Sequence, residues 1–318
     1  MAFSNDDALF FKGMDLYKRK DPMCIKLFKE CNDSRSRARL AMIYFKGFLK
    51  IKKDYERALS YCENNNHYLA VSIECEIRVF KRKETEYYPI AFSKLSIACT
   101  RFQNNERMNE LLSRMFLQGL GTKPNYLEAC RFQPKLKNRD YFKSQAKYCS
   151  DGVKKELLSQ FETMTSEAPE YYCFMGDLHG LMHANDSGHD CYLKAIDAGI
   201  HAYNSVIAYL LKSNKPSEAL EYARKWYAVD RCPASADALA TVSIELKRPY
   251  SSYIGILDEF KNDPACLRKE LHEAYINNMD EHYKELISYA IKHDVPAYDT
   301  VARYYLSIAN SDEAIRYF

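Results

Sequence analysis

Glycine and proline are scarce in this sequence, with 10 residues of each among 318. An all-β protein with many tight turns needs more of both, so a mainly helical chain is predicted. The sequence also lacks an uninterrupted run of about 18 apolar residues, the length that a membrane span requires. Its start, MAFSNDDALFF, has acids where a signal peptide has a basic start and a long apolar core. We therefore expect a soluble protein that is not exported by the usual route.

The cysteines exclude two further classes of protein. There are 11, scattered along the chain and never spaced Cys-x-x-Cys. An odd number without that spacing argues against both a zinc ribbon and a disulfide framework. Such cysteines are typical of small buried side chains in a reducing compartment, so an intracellular, cytoplasmic location is predicted.

Charge is nearly balanced overall but unevenly distributed. The chain has 46 basic and 43 acidic residues. Residues 1–150 hold 29 Lys and Arg against 17 Asp and Glu, a net charge of +12, whereas residues 151–318 hold 17 against 26, a net charge of −9. An asymmetry of this kind concerns partners, or contacts between the two halves, rather than fold.

A repeat is present in the first half of the chain. Tyr44, Phe80 and Phe116 lie 36 residues apart. Downstream of each, a tyrosine precedes an alanine by three positions, in the pairs Tyr55 and Ala58, Tyr88 and Ala91, and Tyr126 and Ala129. A period of about 20 to 50 residues, with large and small residues in fixed places, indicates a stacked array of helical hairpins. An aromatic on the first helix would then fill the space beside the small residue on the second.

These residues resemble the Sel-one-like repeats, which are relatives of the tetratricopeptide repeats. MFLQGLGTKPNYLEA (115–129) is similar to the family pattern nearly position for position, and AMIYFKGFLKIKKDYERAL (41–59) has one extra loop residue. KAIDAGIHA (194–202) is similar to the family's hinge, while residues 74–98 lose both glycines. The resemblance implies an all-α fold, a right-handed α/α solenoid of stacked antiparallel helical hairpins. It also implies a scaffold or adaptor, although a fold alone does not fix function.

Three regions are predicted along the chain. Residues 1–136 form basic repeats, residues 137–170 an irregular helical connector, and residues 171–318 acidic repeats, and the array could be continuous. In the last region LLKSNKPSEALEY (210–222) resembles LSIANSDEAIRY (306–317), and Pro216 stands where a helix should begin. Helices are predicted at 54–65, 67–80, 88–99, 202–212, 216–229 and 296–309.

Signatures of catalysis and of cofactor binding are weak. Gly119 and Gly121 form a Gly-x-Gly, but a phosphate loop needs a preceding strand and a helix that starts on the glycines. No strand pattern precedes them, and Thr122-Lys123 reverses the usual Lys-Ser/Thr order. No Gly-x-Ser-x-Gly or comparable nucleophile signature occurs. We predict a protein that is not an enzyme and needs no cofactor.

A histidine cluster, DLHGLMHANDSGHD (177–190), is the one weak metal candidate. His179 and His183 stand at i and i+4, so on one helix they would face the same way. Gly180 replaces the Glu of a His-Glu-x-x-His metalloprotease. The alternative is that His179 packs within a hairpin and His183 is an exposed neighbour, and we predict no bound metal.

The candidate binding surface is the groove that the resemblance implies along the first helices. Tetratricopeptide relatives would point into it the positions nine and two before, and one and two after, each reference aromatic. Those positions are Arg35, Met42, Phe45 and Lys46, then Val71, Arg78, Lys81 and Arg82, then Arg107, Arg114, Leu117 and Gln118. Seven of the twelve are basic and none is acidic. They predict a cationic groove for an acidic or carboxylate-ended peptide, with arginines giving bidentate contacts and Met42, Phe45 and Leu117 apolar ones.

Other interpretations of this surface remain open. The charges could be ordinary solvated residues, and Glu74 and Glu110 could pair with their neighbours. Three functions are compatible with this surface. The protein could be an adaptor that binds an acidic protein segment, or an RNA-binding helical repeat in which bases stack on the aromatic residues. It could also be a structural protein whose basic half meets the acidic half of another copy. The first is preferred, since no two-residue code for bases recurs at fixed positions.

Overall fold

All regular elements in the described part of the chain are helical. The computed structural model describes residues 4–31, 33–102, 105–277 and 279–297, together with residues 299, 302, 303 and 316. The chain divides into two compact units, Met1–Ala168 and Pro169–Phe318. The predicted all-α fold is confirmed, because the elements of each unit are helices that pack against their neighbours in sequence.

The first unit contains ten α-helices within the described residues. They are α1 Asn5–Lys18, α2 Met23–Glu30, α3 Ser34–Lys46, α4 Tyr55–Cys62, α5 Tyr68–Cys75, α6 Tyr88–Arg101, α7 Glu106–Gln118, α8 Tyr126–Phe132, α9 Arg139–Ala146 and α10 Asp151–Met164. Three short stretches join them, a π-helical one at Glu76–Lys81 and 3₁₀ turns at Thr85–Tyr87 and Pro134–Lys137. Within this unit α3 packs on α5, α5 on α7 and α7 on α9, which is the stacking of an α/α solenoid.

The second unit contains eight α-helices within the described residues. They are α11 Tyr171–Leu181, α12 Asn185–Asp197, α13 Tyr203–Lys212, α14 Pro216–Val229, α15 Pro233–Glu245, α16 Ile254–Asp258, α17 Pro264–Ile276 and α18 Asp280–Lys292. Pro216 starts α14 as predicted, since a proline at the first helical position loses no hydrogen bond. The helix predicted at 296–309 and the repeat at 306–317 lie largely outside the described residues.

Two hairpins of the first unit share one turn geometry. Gly47 caps the C-terminus of α3 and Gly119 that of α7. Both glycines are in the left-handed region, with φ of +72° and +65°. The chain then returns so that the N–H of Asp54 donates to the carbonyl of Tyr44 at 2.9 Å. In the other hairpin the N–H of Asn125 makes the equivalent bond to Phe116 at 3.0 Å. This repeated bond confirms the period that the sequence predicts.

An aromatic pair closes each of these two hairpins. Tyr44 on α3 stacks on Tyr61 on α4, with ring centroids 5.8 Å apart and planes 11° apart. Phe116 on α7 stacks on Phe132 on α8 at the same distance and at 10°. The predicted small residues Ala58, Ala91 and Ala129 are fully buried. Their small side chains let the second helix approach the first closely enough for the rings to meet.

The hairpin between these two departs from the pattern. α5 does not end at a glycine, and its last turn widens into the π-helical stretch Glu76–Lys81. The N–H of Arg82 there donates to the carbonyl of Ile77 at 2.8 Å, an i to i−5 bond. This extra residue per turn rotates Arg78 and Phe80 relative to α5, which the constant spacing of 36 residues does not reveal.

Gly121 lies at a close contact between two hairpins, and its surroundings differ from those of a phosphate-binding loop. The Gly-x-Gly follows a helix, α7, and α8 begins only at Tyr126. Gly121 has φ of +76°, and an added Cβ would lie 2.3 Å from the carbonyl oxygen of Tyr88, at the start of α6. The glycine is therefore required both by the backbone conformation and by the contact with the preceding hairpin.

A buried carboxylate lies in the core of the second unit. Glu270 on α17 is fully buried, and its Oε1 lies 3.0 Å from Nε2 of His282 on α18. Its Oε2 has no hydrogen-bond partner among the described residues. Burial raises the pKa of Glu270 to about 7, and His282 opposes that rise. The nearby Glu273 is better satisfied, since it accepts a hydrogen bond from Tyr253 at 2.6 Å.

Replacing Gly121 by alanine should destabilise the first unit. The left-handed backbone and the overlap with the Tyr88 carbonyl together predict a loss of roughly 2–4 kcal/mol in the free energy of unfolding. Gly180 is the matched control, because it lies inside α11 and an added Cβ would meet nothing within 4 Å. Gly180→Ala should gain about 0.5–1 kcal/mol, the difference in helix propensity. Urea denaturation measures the free energy of unfolding of both variants. Equal stabilities for wild type and Gly121→Ala would contradict the packing role of Gly121.

The Glu270 carboxyl should make stability depend on pH. Its pKa is raised in the folded state, so the stabilisation is complete below the unfolded pKa of about 4.5 and is lost as pH rises through about 7. Relative to Glu270→Gln, the wild type should lose about 2 kcal/mol of unfolding free energy between pH 4.5 and 8. Denaturant titrations at several pH values measure this loss. Glu281→Gln, at an exposed carboxylate that pairs with Lys284 rather than with His282, should keep the wild-type profile. Parallel profiles for wild type and Glu270→Gln would contradict the assignment.

Candidate functional site

The stacked first helices bring part of the predicted groove together. Arg107 on α7 lies over the ring of Phe45 on α3, 5.3 Å from its centroid, and forms an ion pair with Glu76 of the π-helical stretch at 2.6 Å. One guanidinium therefore joins three consecutive hairpins. We call the surface formed by these residues, with Lys46, Phe80, Lys81 and Arg114, the first-helix face.

Arg114 is the second anchor of the first-helix face. Its guanidinium lies 4.0 Å from the centroid of the Phe80 ring, in the preceding hairpin. No carboxylate of the described residues forms an ion pair with it, in contrast to Arg107. Stacking holds the guanidinium plane in place and leaves its edge donors available for a second planar group, such as a carboxylate.

Two lysines extend the positive charge of the first-helix face. Lys46 follows Phe45, and Lys81 follows Phe80. Both side chains are exposed, and neither forms an ion pair with another described residue. With Arg114 they are three positive charges that no described carboxylate pairs with, whereas the charge of Arg107 is balanced by Glu76.

The other predicted arginines are held by carboxylates elsewhere. Arg35 pairs with Asp7 of α1 at 2.6 Å and with Asp33 at 2.5 Å, and it lies over Phe10. Its hydrogen bond lowers the pKa of the Asp7 carboxyl. Because these contacts tie α3 to α1, Arg35 acts within the fold.

Arg78 and Arg82 belong to the network around the π-helical stretch. Arg78 pairs with Glu84 at 2.9 Å and lies 3.8 Å from Glu74, and Arg82 pairs with Glu56 and Glu84. The sequence left open that Glu74 pairs with its basic neighbours, and the structure shows this pairing with Arg78. These two arginines are therefore separate from the stacked pair of Arg107 and Arg114.

The apolar contacts expected of the groove are not available at the surface. Met42 is 6% exposed, Phe45 9% and Leu117 0%, and Val71 is also buried. Met42 and Phe45 pack in the core between α3, α4 and α5. Only the ring of Phe45 takes part in the first-helix face, as the platform beneath Arg107.

The two candidate metal-ligating histidines do not share a helical face. α11 ends at Leu181, and His183 has φ of +60° in the turn that follows. The i, i+4 spacing therefore does not place both histidines on one helix, because α11 stops before the second. His179 is half-buried and His183 exposed. The described residues contain no group of three or more His, Cys, Asp or Glu that could hold a metal ion.

A cluster that the sequence interpretation missed lies on the second hairpin. Glu74 on α5 accepts hydrogen bonds from Tyr87 at 2.7 Å and from Lys94 of α6 at 3.0 and 3.1 Å. Burial, followed by the bond to Glu74, raises the pKa of Tyr87. No local pattern in the sequence signals this cluster, because its members lie 7 to 20 residues apart and come together only through the packing of α5 on α6.

Comparison with known proteins places the chain by its architecture. No protein-family model matches it, and no curated protein is significantly similar to it. Among solved structures it is similar to a protective antigen of uropathogenic Escherichia coli strains that displays an SLR fold, with 13% identity and a TM-score of 0.38, over 98% of this chain and 73% of that one. We assign the chain to the α-helical repeat proteins on its own equivalent hairpins. None of its described helices has the length and apolar character to cross a membrane.

The cysteine side chains should be poorly reactive in the folded protein. Ten of the 11 are buried and Cys232 is half-buried. Burial raises the pKa of the Cys62 thiol to about 12 and of the Cys149 thiol to about 11, so little thiolate forms at neutral pH. Ellman's reagent should therefore label one thiol quickly in the native protein and all of them in denaturant. Cys232→Ser should remove the fast phase, and several fast thiols would contradict the packing.

Proposed function

We propose that this protein is a non-enzymatic adaptor whose first-helix face binds an acidic or carboxylate-ended segment of a partner protein. The observation that carries the proposal is Arg114, stacked 4.0 Å over Phe80 without a carboxylate partner among the described residues. A guanidinium held in this way loses little side-chain entropy when it binds a carboxylate through two parallel hydrogen bonds. The partner would supply the negative charge that Glu76 supplies to Arg107.

The neighbouring charges support the same chemistry. Lys46 and Lys81 add positive charge without a fixed direction, which suits a segment with several acidic residues. Glu76 already balances Arg107, so the face attracts anions without the strong field of a surface built from many free arginines. A short acidic peptide fits this arrangement better than a long polyanion does.

The test is recovery of a partner by immobilised protein from a native lysate. Lys46→Glu/Arg114→Glu should reduce recovery roughly tenfold or more, because the double change reverses two charges at the centre of the proposed site. Arg114→Lys should give an intermediate loss, since it keeps the charge but not the planar pair of donors. Circular dichroism and thermal melting establish that the variants are folded.

The matched control is Lys12→Glu/Lys29→Glu, which makes the same change in net charge at exposed lysines of α1 and α2. It should recover the partner as well as wild type does. Equal losses in both double variants would mean that only net charge matters. Capture that disappears on nuclease treatment would replace the peptide by RNA, and wild-type protein that recovers only copies of itself would favour self-association.

A further inference from the structure

The outer stripe of α6 has a composition that its position in the fold does not require. Ala91, Leu95 and Ala98 form the buried stripe of this helix. On its exposed side Ile90, Lys94, Ile97 and Arg101 follow each other at spacings of four, three and four residues, so they share one face. We call these four residues the α6 strip. Its isoleucines are 50% and 67% exposed, and no packing within the first unit accounts for them.

Each isoleucine of the α6 strip lies beside a cleft. The cleft at Ile97 has a volume of about 410 Å³, and Val71, Phe102 and Asn66 are among its lining residues. The cleft at Ile90 has a volume of about 500 Å³ and is lined in part by Arg78 and Tyr87. Concave surface beside an exposed aliphatic residue can receive a side chain of a partner while that aliphatic residue is covered.

The charges along the α6 strip are positive. α6 contains two cationic residues and no acidic one. Lys94 neutralises Glu74 together with the hydrogen bond from Tyr87. Arg101 lies over the ring of Phe102 at 5.5 Å and has no ion pair with any described residue. The end of the strip near Ile97 therefore attracts an anion, whereas the exposed Glu86 lines the cleft at Ile90.

We propose that the α6 strip is a second docking surface, which binds an acidic amphipathic helix of a partner protein. Ile90 and Ile97 lie about 10.5 Å apart along α6, the distance between helical residues seven apart. The partner helix would present aliphatic residues at that spacing, one to each cleft. Its Asp or Glu side chains would lie at Arg101, the cation of the strip without an ion pair among the described residues, and away from Glu86.

This surface is separate from the first-helix face. The α6 strip lies on the second helix of its hairpin, and no residue that lines its two clefts belongs to the first-helix face. The docking of a helix here does not depend on Arg114, so the two proposals can fail independently. Together they would let one unit hold two acidic segments, which is the property that an adaptor needs.

The probe is a phage-displayed library of random 20-residue peptides, selected on the 318-residue protein and depleted on Ile97→Asp/Arg101→Glu. The expected result is enrichment of peptides with aliphatic residues seven apart and acids beside one of them. These should bind wild type roughly tenfold or more tightly than the depletion variant in fluorescence anisotropy titrations. Failure to enrich any such peptide, or enrichment of basic ones, would overturn the proposal.

A matched control is available on α8. Leu127 is 60% exposed, and Arg131 stands four residues later, so Leu127→Asp/Arg131→Glu repeats the same chemistry on another second helix. The selected peptides should bind it as they bind wild type, and Lys46→Glu/Arg114→Glu likewise. Loss of binding in that last variant would locate the peptides on the first-helix face and overturn the α6 assignment. Cosedimentation of wild type, but not of Ile97→Asp/Arg101→Glu, with phosphatidylcholine–phosphatidylserine vesicles would replace the partner helix by a membrane surface.

Discussion

The contact between one aromatic ring on the first helix of a hairpin and one on the second is the interaction on which this architecture depends. Tyr44 with Tyr61 and Phe116 with Phe132 have nearly the same distance and angle in two hairpins. Such a pair fixes how the helices cross, because its rings are large and the alanine beside it leaves no room for another arrangement. These two hairpins therefore have nearly the same shape, and each packs on the hairpin that lies between them.

Stacking of this kind leaves two long surfaces in the first unit, one along the first helices and one along the second. Neither surface can be fully buried, since each hairpin contacts mainly its neighbours in sequence. Exposed residues on these two surfaces are not needed for core packing, so their composition reflects either solvation or binding. Ion pairs such as Arg107 with Glu76 and Arg78 with Glu84 neutralise several of the charged side chains on these surfaces. The charged side chains without such partners are the ones that a binding partner would contact.

The sequence predicts those parts of the fold that repeat locally. Gly119, Asn125 and Ala129 stand in fixed places because a left-handed turn, a helix cap and a close helix contact each favour few residue types. The π-helical stretch after Cys75 was not predictable in the same way, since it inserts a residue into a helical turn without changing the spacing of the aromatics. The position of His183 was left open for a related reason: periodicity alone does not reveal where α11 ends.

The candidate site was less predictable than the fold because side-chain partners come from distant positions. Position relative to an aromatic grouped Arg107 with Arg114, yet it could not show that Phe45 lies beneath the first and Phe80 beneath the second. It also could not show that Met42 faces the core. A guanidinium fixed by a ring and lacking an acid differs from one that already has an acid, although both look alike in a sequence. The charge that matters for binding is therefore the charge left after the fold has made its own pairs, and the count of basic residues overstates it.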